Sequence, residues 1–152
     1  MSSTYIHTAF FLLLVTIVVV AQKPPVTIVN SGSTNTPGYT IVIQNDGNTH
    51  YYIAPSRAQI ANSDGTGQQP TWTNGTAQLS SSTRKSLYCQ IKHCEPFNKL
   101  PVESCGKSVS FGFTLKLTYK GETTPDLSCP TTNQKLENLI TTVNKVISEL
   151  KI

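Results

Sequence analysis

Between Ser108 and Tyr119 the chain alternates without a break. Val109, Phe111, Phe113, Leu115, Leu117 and Tyr119 take every second place, with Ser110, Gly112, Thr114, Lys116 and Thr118 between them. Successive side chains of a strand point to opposite faces, so this pattern calls for a sheet with one face on a core and the other toward water. It predicts one long strand, with Gly112 as a bulge, whose apolar row from Val109 to Tyr119 faces the covering helices. A slip of one residue would exchange the two faces, so the register is strongly specified. Lys120-Gly121 then offers a hairpin turn into a short partner near Glu122.

The same period appears earlier. Tyr39, Ile41 and Ile43 alternate with Thr40, Val42 and Gln44, and Asp46-Gly47 separates them from the β-type run Thr49 to Ile53. A two-residue turn at Asp46-Gly47 predicts strands over Gly38 to Gln44 and Thr49 to Ala54, with Ile43 opposite His50 and Ile41 opposite Tyr52. Helical spacing takes over elsewhere. Ser82 or Thr83 can cap a helix running to about Cys94, with Leu87, Ile91 and Cys94 on one face and Pro96 as its stop. Thr131 and Gln134 have capping-box spacing, and Leu136, Leu139, Ile140, Val143, Val146, Ile147 and Leu150 form a stripe broad enough for core docking. The expected fold is therefore α+β: an antiparallel sheet of about four strands with two helices packed on one face. It occupies a single domain over residues 38–152, including a C-terminal helix over 131–150. Residues 22–37, a short apolar run followed by turn-rich NSGSTNTP, are expected to be an N-terminal spacer.

Residues 1–21 read as a signal peptide. The run from Ala9 to Ala21 has no charge and only Thr16 as a polar residue, yet it is shorter than the roughly 20 residues a membrane span needs. Val19 and Ala21 suit a cleavage site before Gln22. An uncleaved anchor and a buried core helix are the alternatives, and Lys23-Pro24-Pro25 argues against the second. The remaining chain is expected to be secreted, with no membrane attachment after cleavage. Its net charge of +4 comes from scattered Lys and Arg without a block, a pattern that does not point to nucleic acid.

Four cysteines in a secreted chain suggest two disulfides, for which three connectivities exist. Cys105 and Cys129 bracket the long strand and its hairpin, so both can return to one end of the sheet, and this bridge is favoured. Cys89 and Cys94 would then be left to each other, but five residues along a regular helix separates Cα atoms by about 8.6 Å, beyond the limit of about 7 Å. They pair only if the helix unravels toward Pro96; otherwise Cys89 is a free thiol or an intermolecular link. Cys89, His93 and Cys94 make a poor metal set because Cys94 points away from the other two. No metal and no cofactor is expected.

Signals for catalysis are weak. Gly106-Lys107-Ser108 ends like a phosphate-binding loop, but Pro101 stands where that motif needs Gly. Glu103, Glu122 and Asp126 could supply paired carboxylates only if folding brought two of them together. No catalytic residue is assigned. The segment Ser56 to Ser80 follows neither period and is expected to be a long surface loop, the usual place for recognition. It carries Trp72, the sole Trp, either a ligand-binding anchor or a plug folded onto the core. It also carries the sequon Asn74-Gly75-Thr76, where Asn74 is a candidate glycosylation site.

Three segments, GYTIVIQNDG (Gly38 to Gly47), LPVESCGKSVSFG (Leu100 to Gly112) and TPDLSCP (Thr124 to Pro130), resemble a group of small secreted, uncharacterised proteins. The resemblance implies the Cys105–Cys129 pairing and carries no activity. The order of hairpin, helix, Leu-Pro and strand is similar, more distantly, to the emfourin-type protease inhibitors. The function expected is a secreted, disulfide-stabilised binding or inhibitor-like module whose partner is an extracellular protein or glycan. The alternatives are a small secreted hydrolase with a site formed only on folding, and a structural extracellular component.

Overall fold

The computed structural model describes residues 22–62 and 70–152. The expected signal peptide lies outside the described residues. The most consequential feature of the fold is the run Val26–Asn30, expected to belong to a spacer. It forms strand β1 and sits inside the sheet, with Val26 and Ile28 fully buried. The other strands are β2 (Tyr39–Ile43), β3 (Asn48–Ile53), β4 (Thr73–Gln78), β5 (Leu115–Tyr119) and β6 (Glu122–Thr123). Their order is β4-β3-β2-β1-β5-β6 and every neighbouring pair is antiparallel. The fold is thus α+β with an antiparallel sheet, but of six strands instead of about four. The two extra strands are β1, whose five residues offer too short a period to read, and β4, whose sequence TNGTAQ has almost no apolar signal.

Among the described residues the α-helices are α1 (Arg57–Asn62), α2 (Ser81–Cys94) and α3 (Gln134–Leu150), three where two were expected. Leu87, Tyr88, Ile91 and Cys94 of α2 and Leu136, Leu139, Val143, Val146 and Leu150 of α3 are buried in one core with Val26, Ile28, Ile41, Ile43, Leu115 and Leu117. Two polar contacts set α2 and α3 antiparallel. The backbone N–H and hydroxyl of Ser80 donate to the Glu149 carboxylate near the end of α3, and the Cys94 thiol donates to the Lys135 carbonyl at its start. Helix starts differ slightly from expectation. Ser80, not Ser82 or Thr83, caps α2 by accepting from the Thr83 N–H, and Asn133, not Thr131, caps α3 by accepting from the Leu136 N–H. Each places an acceptor over the open first turn of its helix.

The first hairpin departs from the expected register by one place. Ile43 pairs with Thr49, Val42 with His50 and Ile41 with Tyr51. The Gln44 N–H donates to the Asn48 carbonyl and the Gly47 N–H to the Gln44 carbonyl, so the loop is Asn45-Asp46-Gly47, with Gly47 at φ +95°. A third loop residue twists better into the flanking strands when Gly closes it in a left-handed conformation. Thr49 and Tyr51 thereby face the core side, and His50 and Tyr52 face away from α2 and α3. The second hairpin behaves as read, with Lys120 and Gly121 both at positive φ between β5 and β6.

The long strand is cut short. Only Leu115, Leu117 and Tyr119 of the alternating row are buried in β5, whereas Val109 and Phe111 lie in a turn, exposed at 85% and 66%. Gly112 belongs to that turn and is no bulge; its N–H donates to the Ser108 carbonyl.

Candidate binding loop

Val109 and Phe111 stay outside the sheet because another segment claims the carbonyls of Val109 and Ser110. Beyond β1 the chain turns sharply over Ser31 to Pro37, and this turn hydrogen-bonds across to residues 109–114. Thr34 Oγ1 donates to the Val109 carbonyl at 3.1 Å, Ser33 Oγ and the Asn35 N–H donate to the Ser110 carbonyl, and the Ser31 and Thr114 segments exchange two bonds. Carbonyls satisfied in this way no longer need a ladder partner. The alternation that begins at Val109 therefore reflects the strand only from Leu115 onward.

The other side of the loop is braced by chemistry that links residues 105–107 to residues 126–129. Cys105 and Cys129 form a disulfide with Cα atoms 5.6 Å apart. Lys107 Nζ contacts the Asp126 carboxylate and the Phe113 carbonyl, and lies 2.6 Å from Ser128 Oγ. Asp126 Oδ1 also accepts from the Leu115 N–H and from the Ser128 N–H and hydroxyl. Burial alone would push the Asp126 carboxyl up, but the bonds from Lys107, Leu115 and Ser128 outweigh it and hold it at about 2. A hydroxyl, an amine and a carboxylate meeting at one point resemble the start of a hydrolytic site. The Ser128 hydroxyl, however, is engaged with the Phe113 carbonyl and Asp126, and Lys107 and Asp126 are bound to each other, so all three side chains are spent on joining the two segments. The cluster works as a cross-brace.

Its titration gives a testable consequence. A carboxylate whose folded pKa lies below its unfolded value of 3.8 stabilises the fold above that value and loses this contribution as pH falls from about 4 toward 2. Asp126→Asn is expected to lower stability at pH 7 by about 1 kcal/mol, because it removes the counter-charge of a partly screened Lys107 and weakens the bonds from Leu115 and Ser128. It should also flatten the acid side of the stability profile. Urea unfolding of both proteins between pH 2 and 7 checks this; parallel profiles would remove Asp126 from the account.

The remaining candidate residues do not converge. Cys89 is exposed and Cys94 buried, so the tentative Cys89–Cys94 bridge is not formed: α2 stays helical through Cys94 and holds the two thiols on different faces. Burial pushes the Cys94 thiol up. Glu122 accepts from the Phe97 N–H and Glu103 from the Thr131 hydroxyl, so Glu103, Glu122 and Asp126 each serve a separate local contact. Among the described residues no group of three His, Cys, Asp or Glu could hold a metal, and no helix is long and apolar enough to cross a membrane.

The Ser56 to Ser80 segment is not one loop. It contains α1 and the edge strand β4. Asn74 is exposed in β4, and Gly75 lies beneath the Tyr51 ring, where a Cβ would come within 2.3 Å of ring atoms. Trp72, one residue before β4, is 69% exposed, which overturns its reading as a core plug. Register then relates Trp72 to the loop. Thr73, Ile53, Tyr39, Asn30 and Leu115 are neighbours across the sheet, so Trp72 and the 109–114 segment emerge at the same end. Between them lie the Ser31 to Pro37 turn and α1, whose Ala58 N–H donates to the Thr34 carbonyl and whose Ile60 is exposed. No family model and no curated protein matches the chain. Beside the loop, Lys107, Ser108, Phe111, Gly112, Phe113 and Ser128 line a shallow cavity of about 390 Å³.

The alternating pattern had marked Val109 and Phe111 as core, so the residues that make this surface were hidden by it. The signal that could have separated them is the flanking pair Gly106 and Gly112 with Cys105, which marks a braced turn more than a strand.

Proposed function

We propose that this protein is a secreted, disulfide-braced binding or inhibitor-like module that engages an extracellular protein through Val109, Phe111 and Trp72. The observation that carries the reading is the exposure of Val109 and Phe111 on a turn whose backbone is tied on both sides. Exposed apolar side chains cost little to bury in an interface, and a turn already held in one shape loses little entropy on binding. A protein partner is favoured over a glycan because Val109 offers a sugar neither a ring to stack on nor a hydrogen bond. Passage through a secretory route would also present exposed Asn74 for glycosylation, on the edge strand that begins beside Trp72.

The test is affinity capture from extracellular proteins of the source organism and of its competitors or hosts. Wild type is compared with a Val109→Ser/Phe111→Ser double variant. The expected result is a protein retained by wild type and lost by the variant, with the same urea midpoint for both. With that partner in hand, Trp72→Ala should weaken binding by about 1 kcal/mol or more while leaving the melting temperature in place. Identical capture by both proteins would reject the loop as the binding surface; lost stability in Trp72→Ala with unchanged affinity would remove Trp72 from it.

A further inference from the structure

A second surface lies on the solvent side of α2, at the opposite end of the sheet from Val109. Arg84, Lys85, Tyr88, Cys89 and Lys92 follow one another along that face at helical spacing. Lys23, just before β1, and Asn45, in the β2–β3 loop, close it into a groove of about 410 Å³. Tyr88 forms its floor. The Tyr88 hydroxyl donates to the Pro24 carbonyl at 3.2 Å, its ring meets Tyr119 edge-on at 5.9 Å, and Lys23 Nζ sits 5.0 Å from the ring centre. These contacts hold the N-terminal segment against α2 and bring a fourth cation to the three on the helix.

The charge distribution is lopsided. The chain has twelve Lys and Arg against eight Asp and Glu, so the four cations of the groove equal its whole net charge of +4. The ion pairs among the described residues are Lys107–Asp126 and Lys120–Glu95, neither of them in the groove. Asp46 in the adjoining loop acts on Tyr88 electrostatically, and both of its carboxylate oxygens accept from Asn48. Four like charges gathered without carboxylate partners repel one another, a cost that a bound anion would relieve. A volume of this size exceeds what one small ion fills and falls in the range of ligand sites.

We infer that the Tyr88 groove binds a compact polyanion carrying two or more sulfate or phosphate groups. Lys and Arg are the side chains suited to such groups, Arg84 through its planar fork and the lysines as mobile point charges. The site is separate from the Val109 turn and does not depend on it.

Calorimetry at low ionic strength with three probes tests the inference: inorganic tripolyphosphate, a multiply sulfated disaccharide and the same disaccharide without sulfate. Binding of either anionic probe and not of the neutral sugar is expected, and the tighter of the two identifies the preferred anionic group. Lys85→Gln/Lys92→Gln, both at exposed positions, should weaken binding about tenfold or more, and Arg84→Gln should do so independently. Lys116→Gln, on the far face of the sheet, should change it less than about twofold. Affinity should also fall as added salt shortens the screening length. A second readout is the alkylation rate of Cys89 on the groove wall, which a bound probe should slow, with buried Cys94 as the unreactive reference. Failure of both anionic probes to bind, or an equal loss in Lys116→Gln, would overturn the assignment.

Discussion

A chain beginning at Gly38 does not fold. This is the expected result of deleting residues 22–37, although that stretch has the composition of a spacer. β1 is hydrogen-bonded on both sides, through five residue pairs to β2 and five to β5. Without it the sheet falls into two pieces, and the facing edges of β2 and β5 lose their ladder partners at once. Val26 and Ile28, both at zero exposure, leave the core, each worth about 1.5–3 kcal/mol of burial. Ile41, Ile43, Leu115 and Leu117 lose their neighbours. Against a typical net stability of about 5–15 kcal/mol these losses together are decisive. Circular dichroism and urea titration of chains starting at Gln22 and at Gly38 check it, and a cooperative transition in the shorter chain would contradict the topology. Val29→Thr is the matched control. Val29 lies on the outer side of the same strand, so the change should stay within about 0.5 kcal/mol.

Loss of the Cys105–Cys129 bridge is expected to have the second largest effect. The bond closes a loop with a sequence separation of 24, and cross-links of that size contribute about 3 kcal/mol, largely by restricting the unfolded chain. In this protein a native-state effect adds to it. The bridge and the Lys107–Asp126–Ser128 contacts join the same two segments, so cutting one leaves the other to hold the turn alone. Cys105→Ser/Cys129→Ser should therefore lower the urea midpoint at unchanged slope and make residues 106–112 the first site of limited proteolysis. Cys89→Ser should change neither, since Cys89 is exposed and unbridged. Non-reducing peptide mapping gives the pairing directly. Recovery of Cys105 joined to Cys89, or an unaltered midpoint in the double variant, would contradict the structure. The same variant bears on binding: a turn freed on one side should bind its partner more weakly even though Val109 and Phe111 are intact.

How much of the fold could be read in advance varies by element. α3 was legible because seven apolar residues repeat at helical spacing over four turns, and no competing pattern intrudes. The Lys120-Gly121 turn was legible because a two-residue loop with both residues at positive φ leaves few sequences to choose from. The first hairpin was found, yet its register was off by one, since Asp-Gly serves both the two-residue loop and the three-residue loop closed by a Gly. For Trp72 the pattern left two fates open, and its 69% exposure removes the core plug. The Cys105–Cys129 pairing was likewise within reach, because two cysteines that bracket a hairpin return to one place.

The amino-acid pattern by itself determined the class of the molecule: an antiparallel sheet against two long amphipathic helices, the identity of most core positions, and one disulfide. Those features rest on local periods and on cysteines brought close by short connections. The tertiary structure alone decided that Val26–Asn30 fills the middle of the sheet, that Val109 and Phe111 point to solvent, and that Lys23 joins Arg84, Lys85 and Lys92 around Tyr88. Each depends on partners distant along the chain. An alternating segment states only which side chains prefer a core, and whether its backbone enters a ladder depends on what else offers it hydrogen bonds. For residues 109 and 110 the Ser31 to Pro37 turn, some 75 positions earlier, makes that offer, and the strand begins only where it ends.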